Sequence, residues 1–349
     1  MKYITIGITA ILFAGCGFSD KPVQFNPDRE PLMHLSDYHF FKGNMADLIP
    51  NDRVLPYDLN SPLFSDYSEK ARFIWMPEGK SGVYNDSTVF DLPVGTVLIK
   101  NFYFPDDFRI KKGPRKIIET RLLYHSSTGW KALPYIWNQK QTGARLQHAG
   151  GEAKVSFINR MGDSVNINYI IPNTNQCRSC HVQQGKMIPI GPAARHLNKN
   201  FLYHDGPQNQ LKKWEQEGYL KDVPDSKSIP RIADYRDPES GTLDMRARAY
   251  LDINCGHCHN PRGPANTSGL FLHIHEDNPT SLGIMKPPVA AGRGSGGKSF
   301  SLVPGKPDES ILLYRMESAE PGIMMPELGR TVIDAKGVAL IREWIEKEI

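Results

Sequence analysis

Two pentapeptides in this chain combine residue types and a spacing that can bind a porphyrin covalently. They are Cys177-Arg178-Ser179-Cys180-His181 and Cys255-Gly256-His257-Cys258-His259. On a helical turn, two thiols three positions apart face one side and can add to the two vinyl groups of a single porphyrin, and the histidine that follows reaches the iron. The motifs predict two covalently attached c-type haems. The attachment residues are Cys177, Cys180, Cys255 and Cys258, and the proximal iron ligands are His181 and His259.

Two other uses of paired cysteines fit the motifs less well. Neither a redox Cys-x-x-Cys pair nor half of a zinc site requires a histidine directly after the second cysteine. Four-cysteine zinc sites also place their pairs about 15 to 20 residues apart, and the two pairs here are much farther apart in the chain. The repeated histidine therefore favours haem.

The first haem motif is followed by three candidates for the distal ligand of its iron, namely Met187, His196 and His204. Each lies within reach along the chain, and an open or water-bound iron is the alternative. A single histidine or methionine in such a segment is more often structural, so the residues alone leave this ligand undecided.

The N-terminal residues have the order of a secretory signal, with a lysine at the start, an apolar stretch and small residues before Cys16. The apolar stretch is too short to span a bilayer comfortably. Phe13-Ala14-Gly15-Cys16 resembles the lipobox of bacterial lipoproteins, which implies removal of residues 1–15 and a lipid anchor on Cys16. An ordinary secretory peptide that leaves a free thiol is the alternative. Gly17 favours placement in the outer membrane, facing the periplasm or the cell surface.

Composition and charge limit the kinds of partner that the protein can bind. The 349 residues carry a net charge of +4 and are 40% hydrophobic, which is enough for two or three domains. No basic tract indicates a nucleic-acid partner. The run Gly292–Ser299 matches the phosphate-loop pattern, but prolines precede it and Phe300–Pro307 is predicted to be extended. Because a phosphate loop needs a strand before it and a helix after it, no nucleotide partner is predicted.

The pattern of apolar residues divides the chain into segments. After a tether at residues 16–30, the period-2 alternation in residues 31–172, as at Val97 to Lys100 and Val165 to Tyr169, predicts an all-β sandwich-like domain. Its aromatic residues are expected in the core, with a sugar-binding face as the alternative. Residues 173–232 form a first haem module with a helix over Asn209–Glu217.

The C-terminal segment, residues 233–349, has the clearest helical signals. A helix over Arg246–Asn254 delivers Cys255, and Asp334–Glu348 is predicted to be a capped amphipathic helix. The predicted fold class is therefore multidomain, with an N-terminal all-β sandwich-like domain followed by mainly α cytochrome c-type haem domains.

The two helices and the loop between them resemble class I cytochrome c. That family places its distal sulfur ligand on a methionine directly before a proline, and here Met325 precedes Pro326 at about the expected distance from His259. The resemblance implies that Met325 is the distal ligand of the second iron, with Met324 as the fallback. A Met-rich loop that fills a gap in the core is the alternative. Methionine ligation would make this the higher-potential haem if the first iron has two nitrogen ligands.

Further stretches resemble a family of bacterial two-haem c-type cytochrome lipoproteins whose physiological role is unassigned. They are Leu55–Asp66, Leu133–Asn138, Pro189–Arg195, Arg246–Leu251 and Met316–Arg330. The likeness covers about residues 35–349. It implies two haems, an envelope location and frequent genomic proximity to a parallel β-helix repeat protein, but no substrate.

These observations favour a membrane-anchored carrier that transfers electrons between an envelope donor and an envelope acceptor. A two-haem enzyme such as a peroxidase, with one open iron, is the first alternative. A glycan- or protein-docking module that carries a cytochrome is the second. The sequence thus favours an electron carrier over an enzyme and leaves the donor and acceptor unnamed.

Overall fold

A computed structural model describes residues 21–225 and 227–349. The predicted signal peptide at residues 1–15, the lipidation residue Cys16 and the first part of the tether lie outside the described residues. Within the described ranges, no helix has the length and apolar character needed to cross a bilayer.

The strands lie between residues 41 and 221, and the longer ones lie between residues 69 and 171. The strands are β1 (Phe41–Lys42), β2 (Ile49–Pro50), β3 (Val54–Tyr57), β4 (Glu69–Trp75), β5 (Gly82–Val83), β6 (Val97–Pro105), β7 (Arg115–Ser126), β8 (Gly129–Trp137), β9 (Ala144–Leu146), β10 (Gly151–Ile158), β11 (Ser164–Ile171), β12 (Val182–Gln183), β13 (Lys186–Met187), β14 (Asn200–Tyr203), β15 (Gly206–Asn209) and β16 (Leu220–Lys221). The α-helices are α1 (Thr174–His181), α2 (Ala194–Leu197), α3 (Gln210–Gln216), α4 (Leu243–Leu251), α5 (Pro279–Leu282), α6 (Ile311–Met316) and α7 (Ala335–Lys347). A π-helical turn, Asp252–Gly256, continues α4.

A six-stranded antiparallel sheet in the order β3-β4-β6-β7-β8-β9 is the main structural element. Side chains alternate between its faces, as expected for period 2. Phe73, Ile99 and Leu122 are aligned in neighbouring strands and belong to a core that also contains Leu35 and Phe40 from the N-terminal segment. The sheet is therefore covered on this face by residues that precede it in sequence.

The opposite face of the sheet belongs to the largest apolar core of the molecule. There Leu98 and Leu123 join Trp214 of α3, Tyr250 of α4 and Trp344 of α7 in one cluster. A separate core lies under the hairpin β10-β11, where Val155 and Ile167 meet Phe102 and Phe104. One face of the sheet thus supports the parts of the chain that carry both Cys-x-x-Cys-His motifs.

The predicted fold class is wrong. Helix accounts for only about 23% of the structure, which is mostly β-sheet, and no predominantly α cytochrome-like domain is present in the described residues. Besides the six-stranded sheet, the strands there form five two-stranded sheets, so the sheet packs against helices and loops and not against a second large sheet. Glycines and prolines such as those in Gly292–Gly297 and Pro287-Pro288 interrupt the C-terminal region, which forms turns and 3-10 helices between its short α-helices.

Several local predictions are confirmed. The helix expected at Asn209–Glu217 is α3, with both of these residues as its caps, and the helix expected at Asp334–Glu348 is α7 with the same two residues as caps. The alternation near residues 97 and 165 lies in β6 and β11. Most of the aromatic residues of the β region are buried, namely Phe73, Trp75, Phe102, Phe104, Tyr135 and Trp137. The segment boundaries at residues 172 and 232 stay predictions.

The loop from Asp58 to Asp66 connects the sheet to both haem-motif regions. Asn60 donates from its side chain to the carbonyl oxygen of Arg195 at 2.9 Å, and the Phe64 amide donates to Oδ1 of Asn254 at 2.8 Å. Asp66 accepts hydrogen bonds from the Thr331 and Val332 amides at 2.6 and 3.0 Å. Because Asn60 and Asp66 are buried, these bonds fix the loop in place.

Helices α4 and α7 pack together at Gly337. Trp344 Nε1 donates to Oδ1 of Asp244 at 2.9 Å, which links the two helices. A Cβ atom on Gly337 would overlap the hydroxyl and ring of Tyr250. Glycine is therefore required here for close approach of the helices, even though it disfavours a helix.

Gly337→Ala tests this packing. Helix propensity alone would stabilise the protein by about 0.5–1 kcal/mol, but we expect the overlap with Tyr250 to lower the free energy of unfolding by about 1–3 kcal/mol. Urea denaturation measures the change. Gly143→Ala, at a position whose nearest neighbour would be 3.9 Å away, is the control and should be near neutral. A more stable Gly337→Ala protein would contradict the packing argument.

Candidate functional site

Both Cys-x-x-Cys-His motifs line one cavity of about 560 Å³. All four cysteines and both predicted proximal histidines contribute to its wall, although the motifs are far apart in the chain. The cavity lies between the sheet face that carries Leu98 and Leu123 and the C-terminal segments. Its volume is within the range of about 300–1,000 Å³ that is usual for ligand sites.

The first motif lies on α1, whose N-terminus is fixed by a capping box. The Asn173 side chain accepts from the Gln176 amide, and the Gln176 side chain accepts from the Asn173 amide. His181 is the last residue of the helix, and its Nδ1 is 2.8 Å from the carbonyl oxygen of Ile188, to which it donates as the neutral tautomer. Nε2 is then the nitrogen with a lone pair, which is the arrangement that a metal-ligating histidine needs.

The second motif starts at Cys255, within the π-helical turn Asp252–Gly256 that continues α4. The His259 amide donates to the carbonyl oxygen of Cys255 at 2.9 Å, which keeps the motif in a helical turn. Nδ1 of His259 is 3.2 Å from the carbonyl oxygen of Leu270, so Nε2 is again left for a metal. The same tautomer is thus set at both predicted proximal ligands.

Burial shifts the pKa values of the histidines and cysteines of the motifs. Desolvation lowers the pKa of His181 to about 4 and also lowers the pKa of His259, so both imidazoles are neutral and able to donate a lone pair. Desolvation raises the pKa of Cys255 and of Cys258 to about 12. All four motif cysteines are free thiols, with no disulfide among them.

The two motifs lie next to each other within the cavity. The Cys180 sulfur is close enough to contribute to the raised pKa of Cys258, after desolvation. The Gln184 amide, just after the first motif, donates to the carbonyl oxygen of Arg262, just after the second, at 3.0 Å. The structure therefore brings together two motifs whose relative position the sequence did not indicate.

The loop that carries Met325 is held by two arginines that sequence reasoning missed. Arg330 is buried and donates from Nη2 to the carbonyl oxygens of Met325 and Ser318, each at 2.8 Å. Arg315 donates from Nε to the carbonyl oxygen of Ile323 at 2.8 Å, and its own carbonyl accepts from the Met325 amide at 3.0 Å. Met325 lines the cavity, whereas Met324 does not.

The three candidates for the distal ligand of the first iron lie away from the cavity lining. Met187 packs against the large apolar core, and His204 is exposed. His196 is buried, with Nε2 at 3.1 Å from Asp252. A histidine that sequence reasoning did not consider as a ligand, His257, does line the cavity, and desolvation lowers its pKa to about 4. The assignment of this ligand stays a prediction.

Three cations of the sheet also line the cavity, and sequence reasoning missed them too. They are Arg72, Lys100 and Arg121. The available signal was a charged residue two positions before an apolar one on the same face of a strand, as in Arg72 and Ile74, Lys100 and Phe102, and Arg121 and Leu123. Among the residues that the structure describes, no three histidine, cysteine, aspartate or glutamate side chains form a group that could hold a metal ion. A haem iron needs only one or two protein ligands, so it does not depend on such a group.

An ion pair between Arg195 and the buried Asp252 fixes the region after the first motif to the residues just before the second. Asp252 accepts from Nε of Arg195 at 2.9 Å, from Nε2 of His196 and from the Ile274 amide at 2.9 Å. Burial opposes the charged carboxylate, but these partners prevail and hold the pKa of Asp252 well below its ordinary value of 3.8. The ionised form therefore stabilises the fold above about pH 3.8, and this contribution is lost as the pH falls below that value.

Asp252→Asn is expected to lower the free energy of unfolding at pH 7 by about 2–4 kcal/mol, because it leaves the charge of Arg195, which is only 16% exposed, without its partner. The difference from the wild type should shrink below about pH 3.8. Urea denaturation at several pH values measures both effects. Asp308→Asn, which removes an ion pair whose carboxylate is 84% exposed, is the control and should change stability by less than about 0.5 kcal/mol. A pH-independent loss in Asp252→Asn would contradict the role of its charge.

In comparisons with known proteins, the chain matches no family model, no curated protein and no solved structure.

Proposed function

We propose that this protein is an extracytoplasmic two-haem c-type cytochrome that transfers electrons between redox proteins of the cell envelope. One observation carries the proposal. Two distant Cys-x-x-Cys-His motifs line a single cavity, and in each the histidine Nδ1 is next to a backbone carbonyl oxygen, which leaves Nε2 for a metal. The resemblance of the sequence to two-haem cytochrome lipoproteins agrees with this assignment.

The residues present fit a haem at each motif. Cys177 and Cys180 would hold one group through thioether bonds and Cys255 and Cys258 the other, since all four are free thiols on the cavity wall. When bound, each haem supplies a centre that gains and loses one electron reversibly. The burial of the histidines favours the neutral imidazole that an iron ligand requires.

The surrounding side chains are suited to a carrier. Hydrogen bonds hold both histidine rings in orientation, and Arg330 and Arg315 hold the loop of Met325. Apolar residues such as Leu98, Leu123 and Leu272 line part of the cavity. A site whose ligand side chains are held in orientation undergoes little rearrangement when its charge changes, which favours rapid electron exchange.

The shared cavity supports a relay between the two sites. A backbone hydrogen bond from Gln184 to Arg262 holds the two motif regions next to each other. Electrons would therefore pass between the two sites within one chain. A lipid on Cys16 would keep this relay at the outer membrane, beside a donor, an acceptor and a β-helix repeat protein. Mass analysis of the N-terminal peptide from the native host checks the lipid, and an unmodified Cys16 would contradict the anchor.

Intact-mass analysis and a redox titration test the proposal. We expect the protein from its native host to carry the mass of two haems, and the titration, followed optically and by electron paramagnetic resonance, to resolve two one-electron steps. Protein with no added prosthetic mass on either cysteine pair would overturn the proposal.

A two-haem enzyme with one open iron is a second candidate, and one observation favours it. None of Met187, His196 and His204 lines the cavity. If His257 occupies the remaining position, the first iron will be low-spin and the carrier function is supported. A high-spin ferric signal together with turnover of hydrogen peroxide would instead identify an enzyme of the peroxidase type.

A further inference from the structure

A row of three cations crosses the central sheet directly under the cavity. Arg72 on β4 is opposite Lys100 on β6, and Lys100 is opposite Arg121 on β7. All three line the cavity. Like charges at directly opposed positions destabilise a sheet. The fold therefore retains an arrangement that costs stability.

The neighbouring carboxylates do not balance this row. Asp58 is 2.7 Å from Nη1 of Arg72 but also pairs with Lys199 at 3.3 Å. Glu119, which is buried, pairs with Arg121 at 2.5 Å. Lys100 makes no ion pair with a described residue. Its Nζ lies 4.8 Å from the centroid of the Phe102 ring, and the Arg121 guanidinium lies 4.2 Å from the same centroid. With Lys100 protonated, the row therefore carries more positive charge than Asp58 and Glu119 neutralise.

One donor of the row is left without a partner. The Arg72 side chain is only 4% exposed, and its Nη2 makes no hydrogen bond with any described residue. A buried guanidinium nitrogen without a partner is costly. Desolvation holds the pKa of Lys100 well below its ordinary value, and the positive charges of Arg72 and Arg121 lower this pKa further. Each of these unfavourable features would be relieved by one anion in the cavity.

The other cavity arginines differ from this row. Arg330 directs both of its Nη atoms at backbone carbonyl oxygens of its own region, and Nε of Arg315 does the same. Their donors are used to hold the Met325 loop. On the sheet, by contrast, Arg72 Nη2 makes no hydrogen bond with a described residue and Lys100 makes no ion pair with one. These two groups are available to a ligand, beside Arg121, which Glu119 holds in place.

We propose that Arg72, Lys100 and Arg121 form a carboxylate-binding site that faces the space between the two Cys-x-x-Cys-His motifs. The inference rests on the proposed function, because the propionate groups of a bound haem are one source of such a carboxylate. A small free carboxylate that enters the cavity is the other source. In either case, the sheet supplies the positive charge that binds the carboxylate, in addition to supporting the segments that carry the two motifs.

Redox titration of the holoprotein tests this site through Lys100→Met, which conserves side-chain volume and leaves Arg72 and Arg121 in place. Because a nearby cation favours the reduced, less positive haem, its removal should lower one midpoint potential. We expect about a tenfold shift of the reduced-to-oxidised ratio, which is 59 mV for one electron. Lys100→Gln is a second variant in case the first folds poorly. Lys131→Met, which removes an exposed cation from the same sheet, is the control and should leave both potentials unchanged.

The source of the carboxylate is resolved by adding sodium acetate at constant ionic strength. If a propionate is bound, the variant potential will be low and acetate will have no effect on the wild type. If the site takes a free carboxylate, acetate will shift the wild-type potential, and Lys100→Met will abolish that shift. Two haems by mass, with potentials that neither Lys100→Met nor acetate alters, would overturn the carboxylate site and leave the cytochrome assignment intact. Absence of haem from the wild type would instead overturn the proposed function.

Discussion

The double variant Cys255→Ser, Cys258→Ser is expected to reduce the haem content from two per chain to one. Both cysteines line the cavity next to the first motif, and each thioether bond requires a sulfur that serine lacks. Intact-mass analysis will show the loss of one prosthetic group, and the redox titration will lose one of its two components. The remaining component should correspond to the haem at Cys177 and Cys180.

The same change should also destabilise the protein. A ligand that is bound only by the native state adds to the free energy of unfolding, and here it would fill part of a cavity of about 560 Å³ beside the largest apolar core. The matched double variant Cys177→Ser, Cys180→Ser should retain the other haem. Ser179→Ala, within the first motif but outside its attachment positions, should keep both. Two haems by mass in either double variant would contradict the assignment of the motifs.

Met325→Ala is expected to lower the potential of the second haem and to open its iron to added ligands, while both thioether pairs remain intact. A thioether ligand favours reduced iron, and axial ligands as a class set haem potentials over about 0.8 V, so the shift should be a substantial fraction of that range. The optical sulfur-to-iron band should disappear. Redox titration and binding of added imidazole, followed optically, measure the effect.

Met324→Ala is the control for this prediction. Met324 is adjacent in sequence but does not line the cavity, and so its loss should leave the band and the potential unchanged. The loop itself should survive in both variants, because Arg330 and Arg315 hold it through backbone carbonyl oxygens. A sulfur-to-iron band that persists in Met325→Ala and is lost in Met324→Ala would transfer the ligand role to Met324.

Local sequence signals predicted individual elements well. The capped helices α3 and α7 have the expected positions because capping residues and apolar periodicity act within a few residues of each other. The strand alternation in β6 and β11 has the same local origin. The fold class was wrong because it depends on which layer covers the sheet. That is decided by packing that places residues far apart in sequence, such as Leu98 and Trp344, in one apolar core.

The candidate site divides in the same way. The two Cys-x-x-Cys-His motifs are evident in the amino-acid sequence, since their chemistry lies in spacing over five consecutive positions. Folding brings both motifs to one cavity, places Nδ1 of His181 and of His259 next to a backbone carbonyl oxygen, and sets Arg72, Lys100 and Arg121 side by side on the cavity wall. Strand register and loop closure set these relations, and neither is encoded in any short stretch of residues.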